Sequence, residues 1–132
     1  LKTVKIEAPE GRKSWPLGEY SFEIDDALRG IEREMISRRA NAVGFRAGRL
    51  HDEGGSWGAY YEDKVIAETL AEQYAACRKC VKKIFRDGQE LTADKREELL
   101  DALDIMERDA VSNEVAGANA LGLGNVSGSP SS

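Results

Sequence analysis

The chain has 132 residues, 41% of them hydrophobic and 33% charged, with two cysteines and a net charge of −5. That length and balance describe one domain with a modest core that needs neither disulfide nor metal to hold it. No apolar run approaches the roughly 20 residues of a membrane span, no signal-peptide h-region is visible, and one Cys-x-x-Cys pair is too little for a secreted disulfide framework.

The charge is unevenly placed. Acids and bases cancel from Leu1 to Ile24 and again from Asp25 to Glu53, whereas Gln89 to Ser132 carries nine acids against three bases. An acidic C-terminal third suits head-to-tail or self-complementary protein contacts and argues against a general nucleic-acid coat. A solvated helix face is the plainer account of the same charges.

At the start, Thr3 to Ala8 (TVKIEA) alternates β-formers with charged groups, and Gly18 to Ile24 alternates again, with Tyr20, Phe22 and Ile24 on one face. The pattern predicts a β-hairpin over 3–24. Two strands alone are marginal in water, so the hairpin must pack on helices or on another chain. Trp15, in the connection, either caps its own core or anchors an interface. Asp25 or Asp26 can cap a helix over about 26–50, with Leu28, Ile31 and Met35 as its inner face. Between Arg38 and Arg49 lie four arginines (Arg38, Arg39, Arg46 and Arg49) and no acid. Guanidinium forks suit carboxylates and phosphates, which makes this cluster the leading binding candidate, with Phe45 and Trp57 close by in sequence. Gly44 and Gly48 either admit a neighbouring backbone or break the helix.

His51 to Gly58 (HDEGGSWG) reads as the clearest internal loop. It lacks the lysine of a P-loop and the three-glycine dinucleotide fingerprint, so phosphate binding is the weaker reading. His51-Asp52 with Ser56 offers triad residue types without a nucleophile elbow, and solvation accounts for them better. From Tyr60 to Arg86, Ile66, Leu70, Tyr74, Cys77, Val81 and Ile84 recur at spacings of three and four. This predicts a long central helix, its last turns rich in cations and ended by Asp87-Gly88. Cys77 and Cys80 fall on or beside its apolar stripe, and core packing explains them better than a reactive thiol or a metal site. No cofactor or metal ligand set is expected. Thr92 caps a last helix over 92–115, with Leu99, Leu103, Met106 and Ala110 inside and acids such as Glu97, Glu98, Asp101 and Asp104 mostly outside. Residues 117–132 (GANALGLGNVSGSPSS) carry no charge and read as an extended arm that only a neighbour could order.

The opening LKTVKIEAPEGR and YSFEIDDALRGIEREMISRRA resemble the start of tail assembly chaperones of long-tailed bacteriophages, over about a third of the chain and without a diagnostic motif. Phage neck and head–tail connector proteins are a related comparison. The resemblance implies a non-enzymatic role in building a virion, and no residue-level function.

The expectation is a mainly α chain: residues 1–116 as one domain, with an N-terminal hairpin and about three helices, followed by the arm. It is expected to be a non-enzymatic assembly subunit, cytoplasmic or in a virion, contacting protein subunits, its own copies or others, through Arg38, Arg39, Arg46, Arg49, Trp15 and Trp57. The alternative is a small regulatory or inhibitory module that touches protein or nucleic acid through the arginines. Nucleic acid is the less favoured partner, and none is expected in a membrane.

Overall fold

The computed structural model describes residues 1–54 and 57–121, with only the backbone of Trp57 and Gly58. The chain is mainly α and opens with an antiparallel strand pair, as the pattern predicts. Strand β1 (Lys2–Val4) runs antiparallel to β2 (Tyr20–Ile24), with Val4 opposite Phe22 and Lys2 opposite Ile24. The first strand is shorter than the alternation suggests. After Val4 the chain leaves the sheet to bury Ile6 and Leu17, and Trp15 Nε1 donates to the Ile6 carbonyl at 2.9 Å. Trp15 therefore caps its own core.

The central segment departs most from expectation. Helix α2 (Trp57–Glu62) stops at Asp63, whose carboxylate caps α3 (Lys64–Cys77) by accepting from the Ile66 amide at 3.0 Å. After one 3-10 turn, Arg78–Cys80, the chain becomes strand β3 (Val81–Arg86), not a further two turns of helix. Val81 and Ile84 are three apart, a helical spacing, yet both face inward. Ile24 pairs with Val81 while its neighbour Glu23 pairs with Lys83, so Lys82 is an extra residue, a β-bulge that resets the alternation. Asp87 and Gly88 both have positive φ (51° and 78°). They form the two-residue turn typical of a β-hairpin, rather than a helix stop, and lead into β4 (Gln89–Glu90). The sheet has four strands in sequence order.

Helix α1 (Gly30–Asp52) starts later than predicted and passes through Gly44 and Gly48 without a break. Asp25 does not cap it. That carboxylate accepts from the Ala27 amide within the linker, while Asp26 pairs with the N-terminal amine at 3.1 Å. Of the predicted inner face only Leu28 holds, packed against the main core. Ile36, Ala40 and Val43 are buried, while Ile31 and Met35 point outward. The single last helix divides into α4 (Ala93–Ala102), capped by Thr92 as predicted, and α5 (Ile105–Ala118), opened by a capping box between Asp104 and Glu107. Leu100, Leu103, Val111, Val115 and Ala116 are among its buried residues; Leu99, Met106 and Ala110 are only partly covered.

One face of the sheet, bearing Phe22, Ile24, Val81 and Ile84, packs with α3, α4, α5 and Ile36 of α1 into the main core. A smaller cluster of Val43, Ile66 and Leu70 joins α1 to α3. Asn119 locks the end of α5 to the β2–α1 linker: Oδ1 accepts from the Leu28 amide, and Nδ2 donates to the Asp25 and Val115 carbonyls.

The predicted stop at Gly117 is not where the chain turns. Gly117 is helical, and the arm expected from 117 begins with ordered residues through a buried Leu121. Residues 122–132 of that arm lie outside the described residues. The Leu121 amide donates to the Ala116 carbonyl and the Ala120 amide to that of Gly117, with Ala120 at φ 55°. This is a Schellman turn with alanine where glycine is favoured. Ala120→Gly relieves the left-handed strain, and the expected result is a gain of about 1 kcal/mol, read as a rise of roughly 4 °C in thermal midpoint. An unchanged or lower midpoint would contradict this account of the turn.

Candidate functional site

The four arginines do not form one patch. Arg46 clasps Asp63 with Nη2 2.8 Å from Oδ1 and Nε within 3.3 Å of both oxygens, tying α1 to the α2–α3 junction. The Arg46 bond, with the backbone amide of Ile66, holds the Asp63 carboxyl below the usual range. Arg39 Nε donates to Gln73 Oε1 at 2.7 Å, and the buried Gln73 amide donates in turn to the Ile36 carbonyl. Both arginines are spent on holding α1 to α3. Arg38 is exposed and pairs with Glu34 one turn earlier, and exposed Arg49 makes no ion pair among the described residues. Trp15 is half-buried under Arg12, whose guanidinium lies 5.2 Å from its ring centroid. The side chain of Trp57 lies outside the described residues.

A stripe the inner-face prediction obscured joins the two outward arginines. Ile31, Met35, Arg38, Ala42, Phe45 and Arg49 recur at spacings of four and three along α1, apart from the buried Ala40 and Val43, with Ile31 and Met35 also bordering a groove that Ile36 and Ala76 line. That is a heptad seam about 27 Å long. Ile31 is 72% exposed and Phe45 73%. Single exposed apolar residues need no explanation, but their alignment on one seam with arginines between them does. The spacing was present in the sequence as a second apolar period beside the buried one.

Other cations gather elsewhere. Arg78, Lys79, Lys82 and Arg96 line a cleft of about 380 Å³ between α3, β3 and α4. Arg78 is held by Asp101 at 2.6 Å and Glu97 at 3.0 Å, so the cleft is positive but partly neutralised. Glu97 and Asp101 serve as ion-pair partners here, while Asp104 caps α5 and pairs with Arg12 at 2.9 Å.

The remaining candidates resolve simply. Cys77 and Cys80 are free and buried, and burial pushes the Cys77 thiol up to about 12, the reverse of an activated nucleophile. His51 and Asp52 end α1 in exposed positions, while Ser56, the third member of that constellation, lies outside the described residues. Among the described residues no group of three or more potential metal ligands occurs, and no helix is long and apolar enough to cross a membrane.

A feature with no counterpart in the sequence reading lies between α3 and α5. Asp109 is 9% exposed, and its Oδ2 accepts from the Tyr61 hydroxyl at 3.0 Å. Burial raises its carboxyl above the usual range, a rise the Tyr61 hydrogen bond only opposes. Ala67, Leu70, Ala71, Leu103, Ile105 and Arg108 complete the walls of a pocket of about 220 Å³ beside it. Its signal was an acid at an inward helical position, which the outward assignment of the other acids hid.

Against known proteins, the chain matches no family model, and neither a curated sequence nor a solved structure is significantly similar to it. The geometry therefore carries the functional argument.

A raised carboxyl favours protonation in the folded state, so its contribution to stability is greatest below the unfolded value near 4 and is lost as pH rises through the folded value. Asp109→Asn removes that loss. The expected result is a variant more stable than the parent at pH 7, by denaturant melts, with the difference shrinking below pH 4. A variant less stable at both pH values would contradict the assignment.

Proposed function

We propose that the chain is a non-enzymatic subunit of a protein assembly, docking on other subunits through the outward seam of α1. The observation that carries this reading is the alignment of Ile31, Met35 and Phe45 with Arg38 and Arg49 on one solvent-facing stripe of a 23-residue helix. Apolar groups interleaved with guanidinium forks fit an amphipathic helix whose apolar ridge is flanked by carboxylates. Arg39 and Arg46 support it indirectly, by holding α1 rigidly to α3 so that its outer face is presented without a large ordering cost on binding. A virion setting rests on the resemblance of the opening residues alone.

A second reading, a small regulatory or inhibitory binding module, draws on the cleft lined by Arg78, Lys79, Lys82 and Arg96. Such a module would bind an acidic protein or nucleic acid with a marked salt dependence.

The first reading is tested by native mass spectrometry and sedimentation of the full chain at micromolar concentration. A defined oligomer is expected, and Ile31→Ser with Phe45→Ser should dissociate it by at least tenfold in Kd. Both residues are exposed, so helicity by circular dichroism and thermal stability should change little. A monomer at all concentrations, or an oligomer indifferent to the double substitution, moves the second reading ahead.

A further inference from the structure

We propose that the pocket between α3 and the start of α5 is a binding site for an alkylammonium group, with the cation on Asp109 and the carbon chain along Ala67, Leu70 and Ala71. The site is independent of the α1 seam.

A carboxylate taken out of water needs a cation or several hydrogen bonds to offset its lost hydration. Asp63, just past the end of α2, has both. Among the described residues Asp109 accepts a hydrogen bond from the Tyr61 phenol on Oδ2 and makes no ion pair. Arg108 also lines the pocket, but its guanidinium is engaged elsewhere: it donates to the Leu103 and Asp101 carbonyls and lies 5.1 Å from the centroid of the Tyr74 ring.

The rest of the pocket selects the ligand's body. Ala67, Leu70 and Ala71 recur on one face of α3, and the two alanines leave room for a chain between α3 and Ile105. A volume of about 220 Å³ equals that of several waters, at ~30 Å³ each. Apolar walls do not replace the hydration shell of a small inorganic cation. A divalent metal asks for six or more oxygens, and no three ligand residues cluster among those described. An ammonium on an aliphatic stem satisfies both parts. It donates directly to the Asp109 carboxylate while its methylenes cover alanine and leucine. Two sources share this chemistry: a free aliphatic amine, and the lysine side chain of a partner protein.

The test uses the full ¹⁵N-labelled chain titrated at pH 7 and constant ionic strength with n-butylammonium chloride and, in parallel, with n-butanol. Saturable shifts at the amides of Ala67, Ala71, Ile105 and Asp109 are expected, with the ammonium binding at least tenfold more tightly than the alcohol. Asp109→Asn should level the two. Ala71→Leu, at an exposed position that does not disturb the core, should weaken both, and it carries the test if the asparagine variant fails to fold. Nα-acetyl-lysine methylamide separates the sources. Binding tenfold tighter than butylammonium assigns a partner's lysine, and equal or weaker binding assigns a free amine. Absence of saturable shifts, equal affinity for amine and alcohol in the parent, or an ammonium preference that survives Asp109→Asn would each overturn the proposal.

Discussion

The pairing of β2 with β3 is the constraint on which the rest of the structure depends. It joins segments far apart in sequence, Phe22 to Ile84 and Tyr20 to Arg86, and converts two marginal hairpins into one four-stranded sheet. Three or more strands with a covered face are stable where a lone hairpin is not. The bulge at Lys82 makes that pairing productive, because it brings both Val81 and Ile84 onto the buried face. Once β3 is a strand, α3 must end at Cys77, and α4 and α5 must return across the same face to complete the core.

The position of α1 follows from what is left. With the main core closed around the sheet, α1 contributes Ile36 to it and otherwise packs through a narrow row, Ala40 and Val43, against α3. A row that narrow is reinforced by polar clamps, Arg39 to Gln73 and Arg46 to Asp63. The opposite side of a 23-residue helix then stays in solvent together with its apolar residues. The exposure of Ile31 and Phe45 is a consequence of how the described part of the domain closes.

Much of the architecture was legible where local chemistry and global fold agree. The first hairpin and the Thr92 cap follow from alternation and a capping residue. The failures are equally physical. Val81 and Ile84 keep a helical spacing because a bulge imitates one, and Asp87-Gly88 serves a helix end and a hairpin turn alike, so only the partner strand decides between them. The Asp104–Glu107 capping box was readable and marks the break between α4 and α5, but the apolar period continues across it and masks it. The arginine cluster was visible as composition. Which members bind inward was not, because Arg39 and Arg46 take partners 34 and 17 residues away.

Asp63 and Asp109 show how far the same residue type can diverge within one small region. Both lie beside α2, one just past its last turn and the other hydrogen-bonded to Tyr61 within it. Asp63 receives a guanidinium fork and a backbone amide, so its charge is favoured and it acts as a fixed joint between α1 and α3. Asp109 receives a single phenol, and its charge is disfavoured by the apolar wall that also shapes the pocket. A domain that needed only stability there would place leucine or asparagine at 109, since removing an unpaired buried charge costs nothing electrostatically. Retaining the acid beside a cavity with small residues on its far wall makes sense when something cationic enters.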